Sequence, residues 1–153
     1  METSLKYSID DVRKVAKLEN FRTFFQIHHS NTSSSGLKIS IQGKSVDDVM
    51  YLYDKLGKYL CDNDIGFKIA TQKCFNRYDK DNPILREQCR KAFTVYHNDT
   101  IDFKQLCEDV YNLTSDYKGW YDVPTPTDYE HYAGGLFIRN SYDENGNYLK
   151  AIR

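Results

Sequence analysis

The sequence predicts a single α+β domain with an α/β-like core: a mixed β-sheet with a βαβ crossover and a C-terminal β-hairpin, its helices packed on one face. Three observations predict it. GLKISIQ (36–42) and GFKIAT (66–71) alternate apolar and polar residues with the period of two of a half-buried strand. Between them Val49, Leu52, Tyr53, Leu56 and Leu60 recur at helical spacing. Near the C-terminus, DENG carries Asn145-Gly146, the strongest hairpin signal in the chain, between HYAGGLFIRN and NYLKAIR.

Taken in order, residues 8 to 20 (SIDDVRKVAKLEN) form an amphipathic helix capped by Ser8 or Asp10, with Val12, Val15, Ala16 and Leu18 toward one side. FRTFFQIHH (21–29) reads as a strand, and SNTSSSG (30–36) is a turn by composition. SVDD (45–48) is a capping box: Ser45 accepts from the backbone, Asp48 reaches back, and both aspartates favour the positive helix end. Asn63-Asp64-Ile65-Gly66 stops that helix just before GFKIAT. A crossover of this kind normally sets its two strands parallel and right-handed, so they are expected as neighbours. KAFTVYH (91–97) is a further strand, and the helix after Asp99 or Thr100 turns Phe103, Leu106, Cys107 and Val110 to one side. Residues 114 to 129 are a loop, because Pro124 and Pro126 deny ladder hydrogen bonds.

Composition narrows the function. A chain of 153 residues is the size of one domain, and at this length roughly two-thirds of the unfolded surface is buried, so neither cofactor nor disulfide is needed for stability. Lys plus Arg (21) nearly cancel Asp plus Glu (22), which argues against nucleic-acid binding through bulk charge but not against a local cationic pocket. Cys61, Cys74, Cys89 and Cys107 lack the spacing of a zinc site or a disulfide framework and read as reduced thiols. METSLKYSIDD has no apolar core of a signal peptide, and no run approaches the ~18 apolar residues of a membrane span. A cytoplasmic protein with no membrane association, no metal and no cofactor is expected.

The alternation also places charge. Leu37, Ile39, Ile41, Phe67 and Ile69 must meet the helix, so Lys38, Ser40 and Lys68 point to the opposite sheet face and the two ammonium groups share it.

The succession LKIS, a capped helix, GFKIA, Arg86, KAFTVY, a helix, YAGGLFIR and DENGNYLKAI resembles the lyase domain of class III lanthipeptide synthetases, which belongs with the OspF/SpvC effector phosphothreonine lyases. The resemblance covers residues 36–153 and leaves 1–35 as an N-terminal helix and strand extension. It implies β-elimination of phosphate from phosphothreonine or phosphoserine, without metal or cofactor. Lys68 matches the general base and Lys38 the first-strand lysine whose charge lowers the pKa of that base. Arg86 and Arg139 match phosphate-binding arginines, and Tyr96 a tyrosine lining the pocket.

Two positions depart from the pattern. Ser40 stands where the family has the histidine that protonates the leaving phosphate; a hydroxyl is a poor acid at neutral pH, and Ser40 is counted only among the phosphate-binding residues. His131 stands where the family has a third phosphate-binding arginine. Either His131 takes over as proton donor, or both changes mark a domain that keeps an anion pocket without the reaction. His28, His29 and His97 lie at strand ends.

Three readings therefore stand open: a lyase acting on a phosphorylated protein or peptide; a non-catalytic module of the same fold that binds a phosphorylated peptide or other anion, as the partner of a kinase or biosynthetic protein; and an interaction domain in which Tyr51, Tyr53, Tyr59, Tyr111, Tyr121 and related tyrosines supply an adhesive surface.

Overall fold

The computed structural model describes residues 7–30, 36–118 and 129–140. Helix α1 (Ile9–Ala16) begins where Ser8 Oγ accepts from Asp11 N, and it buries Val12 and Ala16. Strands β1 (Phe24–His28) and β2 (Leu37–Gln42) precede α2 (Val46–Asp62). Ser45 Oγ accepts from Asp48 N at the start of α2, and the Asp48 carboxylate reaches one residue beyond the cap to accept from Lys44 N at 2.7 Å. After β3 (Phe67–Ala70) come two short helices, α3 (Gln72–Asn76) and α4 (Pro83–Arg90), then β4 (Lys91–Tyr96), α5 (Phe103–Leu113), β5 (Glu130–Ala133) and β6 (Leu136–Asn140).

The domain is α+β, as the sequence indicates. Its six strands lie in the order β1-β3-β4-β2-β6-β5, and each neighbouring pair is antiparallel. The expected adjacency of the two lysine-bearing strands is corrected here: β4 lies between β2 and β3 and pairs with both. Being antiparallel to the same strand, β2 and β3 still run in one direction, as the α2 crossover requires. A crossover helix fixes direction and leaves open how many strands are skipped; the β4 hydrogen bonds decide that.

Two further differences have local causes. Residues 72–90 carry α3 and α4, which the sequence reading passed over, although Asn82 Oδ1 accepts from Ile84 N and Leu85 N and Pro83 occupies the first turn. HYAGGLFIRN is a hairpin rather than one strand: β5 and β6 are joined through Gly134-Gly135, and Gly134 takes φ 54°, a left-handed conformation that costs glycine least. The predicted DENG hairpin and the NYLKAIR strand lie outside the described residues.

Packing divides the sheet into two faces. On one, α1, α2 and α5 cover Ile39, Ile41, Phe67, Ile69, Phe93 and Val95, and the Phe67 and Phe93 rings stack with centroids 5.2 Å apart. Each such side chain contributes about 1.5–3 kcal/mol when fully buried. On the other face α3 and α4 pack Cys74 and Cys89 against Ala70 and Phe24. Residues before position 36 are part of the same sheet and core through β1, Val12 and Ile27. All four cysteines are buried thiols. No helix among the described residues is long and apolar enough to cross a membrane.

Candidate functional site: a cationic cavity on the sheet face opposite α2

Register builds the site. On β4, Tyr96 stands beside Lys38 of β2 and Thr94 beside Lys68 of β3, so the two lysines flank one face of one strand. Their backbones are two strand spacings apart, about 10 Å, which two lysine side chains can bridge toward each other. On the far side of β2, Arg139 of β6 pairs directly with Lys38. The side chains meet in a cavity of about 130 Å³ lined by Phe24, Lys38, Lys68, Gln88, Lys91, Thr94, Tyr129 and Arg139. The two lysines thus share a face, as the alternation predicts, although not as neighbours.

Lys91 reaches the cavity by a different route. Strict alternation from Phe93 and Val95 would turn it toward the helices. Between Ile41 and Gln42 the β2/β4 register slips, so that Ile41 pairs with Phe93 but Gln42 pairs with Lys91. The bulge gives Ala92 to the core and leaves Lys91 on the cationic face.

Aromatic rings hold these cations. Lys68 Nζ lies 4.7 Å from the Phe24 ring centroid and 5.9 Å from that of Tyr96. Lys91 Nζ lies 4.6 Å, and the Arg139 guanidinium carbon 5.7 Å, from the ring of Tyr129. Ring faces attract cations without neutralising them, so the positive potential in the cavity survives. Electrostatics report the crowding: burial first, then the charges of Arg139, Lys68 and Lys91, push the Lys38 ammonium from 10.5 down to about 7.

What the cavity can take follows from its size and lining. At ~30 Å³ per water it holds roughly four waters, well short of the ~300 Å³ at which drug-sized ligand sites begin. A phosphate-sized anion fits; a nucleotide does not fit wholly inside. A larger cavity of about 380 Å³, lined mainly by Tyr7, Val12, Val15, Phe25 and Ile69 with Asp11 and Lys14, is apolar and brings no like charges together. Among the described residues no group of three or more His, Cys, Asp or Glu side chains is placed to hold a metal ion.

Of the residues singled out from sequence, Lys38, Lys68 and Arg139 line the cavity and Tyr96 stands beside it. Ser40 is fully buried between Thr94 and Phe137 and does not line it. Arg86 lies on α4 rather than in a loop, and its Nη1 donates to Lys80 O at 3.3 Å, outside the cavity. His131 is exposed on the β5–β6 hairpin, with Nε2 2.7 Å from Gly134 O and its ring against Phe137. His28 is paired with Asp64, and His97 lies against Ile101 O. Sequence reasoning missed Phe24, Gln88, Lys91, Thr94 and Tyr129. Only Lys91 carried a signal, a charged residue opening an otherwise apolar strand.

No protein-family model matches the chain, and none of the curated proteins matches it. Solved structures do. The type III effector/phosphothreonine lyase OspF from Shigella flexneri superposes with a TM-score of 0.57 at 15% identity, over 92% of this chain and 80% of that one. The Salmonella plasmid virulence C protein, SpvC, gives 0.56 at 14% identity over 96% and 81%. The Chromobacterium violaceum VirA (SpvC) phosphothreonine lyase effector gives 0.52 at 18% identity, over 79% of this chain and 62% of that one. The fold is that of the phosphothreonine lyases. The likeness to lanthipeptide lyase domains rests on the sequence motifs alone. In this version of the fold, four central strands supply the cations, and α4 and β1 supply Gln88 and Phe24 at the edge of the cavity.

Proposed function

We propose that the protein is a lyase that removes phosphate by β-elimination from phosphothreonine or phosphoserine in a protein or peptide, with Lys68 as general base. The observation that carries this reading is the convergence of Lys38, Lys68 and Arg139 on one phosphate-sized cavity of the phosphothreonine-lyase fold. Arg139 and Lys38 hold the phosphate oxygens. The Lys68 amine takes the Cα proton, the Cα–H bonding pair forms the Cα=Cβ bond, and the Cβ–O bond breaks with its electron pair leaving on the phosphate. Cations near the substrate carbonyl stabilise the charge that develops as the proton leaves. A lysine base must be neutral near pH 7, and Lys68 shares its cavity with Lys38, Lys91 and Arg139, like charges that disfavour its protonated form.

Proton delivery to the leaving phosphate is the open position. Ser40 is buried away from the cavity, and His131 would have to leave its contact with Gly134 O and turn inward to act. Those two placements favour a second reading, in which the same cavity binds a phosphorylated peptide or another anion without turnover. The adhesive-surface reading draws less support, because Tyr53 donates to Tyr7 O, Tyr59 to Asp109 and Tyr117 to Gln42 O, all within the fold.

Incubation with a phosphothreonine peptide separates the two. A lyase releases phosphate and leaves a dehydrated residue by mass spectrometry, and Lys68→Ala abolishes this with the fold intact. Phosphate release with a regenerated hydroxyl would mean hydrolysis and would refute the lyase reading. Salt-sensitive binding without product selects the binding module.

A further inference from the structure

We infer that Lys91 is an anion-contacting residue of this site, approaching the bound phosphate from β4 opposite Arg139 and Lys38. The inference rests on the anion-site reading and holds for a lyase and for a binding module alike.

Three independent features place Lys91 there. Its position is built: the bulge that turns it out of the core is pinned where Gly43 N donates to Arg90 O at 2.9 Å and Tyr117 Oη to Gln42 O at 3.1 Å, while Gln42 N donates to Gly135 O at 3.0 Å. Without the slip, the same strand would present residue 91 to the helices. Its direction is held: Lys91 and Arg139 both lie near the ring of Tyr129, which keeps a long side chain from swinging into solvent. Its environment is costly: Lys91 is only 8% exposed and sits among Lys38, Lys68 and Arg139, like charges that repel it.

An apolar residue at position 91 would remove the repulsion. A bound phosphate dianion reverses the sign of each interaction, since it attracts every cation that the ligand-free cavity forces together. Neither Arg86, whose Nη1 donates to Lys80 O, nor His131, on the hairpin, lines the cavity that Lys91 enters.

The test uses inorganic phosphate as the probe, titrated calorimetrically at low salt into the full chain, wild type, Lys91→Met and Lys91→Arg. A parallel NMR titration follows the Lys38 side-chain nitrogen. Lys91→Met is expected to weaken phosphate binding ~10- to 100-fold, the loss typical of a hydrogen bond to a charged group. Lys91→Arg is expected to keep most of the affinity. The Lys38 pKa should rise in Lys91→Met and stay in place in Lys91→Arg, a response that a packing defect would not give. Lys91→Gln serves if Lys91→Met does not fold. Equal phosphate affinity in wild type and Lys91→Met overturns this inference and leaves the anion site standing. Failure of the wild type to bind phosphate overturns both.

Discussion

Lys38 and Arg139 face each other directly across β2 and β6, two like charges on adjacent strands aimed into one cavity. Opposed like charges on neighbouring strands are ordinarily destabilising. Burial first, and then the charges of Arg139, Lys68 and Lys91, bring Lys38 to about 7 in the folded chain, far below its ordinary 10.5.

The sign of the pH dependence follows. Between pH 7 and 10.5 the unfolded chain keeps a proton on Lys38 that the folded chain sheds, so the contribution of Lys38 to stability improves as pH rises through that window. Below pH 7 the penalty is present in full. The ligand-free protein should show a higher urea midpoint at pH 9 than at pH 6.5, and Lys38→Met should shrink the difference. Phosphate affinity should move the other way, falling as pH rises through 7 and Lys38 loses its charge. Binding at pH 8 should therefore take up protons, measurable by calorimetry in two buffers of different ionisation heat.

Ser40 stands where the sequence resemblance expects a histidine, and its part in the site is open to test. Its hydroxyl is fully buried and makes no hydrogen bond among the described residues. Ser40→Ala should leave phosphate affinity unchanged and stability equal or higher by about 1 kcal/mol, since it removes an unsatisfied polar group. Ser40→His should lower stability by about 1–3 kcal/mol through overpacking beside Phe137. Thermal unfolding and phosphate titration of both variants decide; a tenfold affinity loss in Ser40→Ala would return Ser40 to the binding site.

Gly43 couples packing to the cavity. A Cβ there would stand 2.7 Å from Ala92 Cβ and 3.1 Å from both Asp48 Cβ and Tyr117 Oη. Gly43→Ala is expected to cost about 1–3 kcal/mol. Because it pushes on the residue that forms the bulge, it should also weaken phosphate binding, whereas a substitution at exposed Leu113 should change neither. Denaturant unfolding and phosphate titration of the pair read this out.

Asn82 secures α4, which carries Gln88 to the cavity edge. Asn82→Ala removes acceptors from Ile84 N and Leu85 N and should cost about 1 kcal/mol. Hydrogen exchange should rise first across Ile84 and Leu85, with α2 unaffected.

Much of this architecture was legible locally. The caps at Ser8 and Ser45 formed where the sequence signals stood, because a cap depends on residues three apart. The helix at 83–90 is marked in the sequence by its cap, Asn82-Pro83. Order in the chain puts Arg86 ahead of β4, and only the structure places it on that helix.

Period-two alternation by itself determined that Lys38 and Lys68 share the face away from α2, because side-chain direction along a regular strand is set by the backbone. Only the tertiary structure decided that β4 stands between them, that Arg139 lies opposite Lys38, and that a one-residue slip delivers Lys91 to the same cavity. Strand order and register are settled by hydrogen bonds between residues far apart in sequence, and a bulge reverses alternation at a point no local pattern marks.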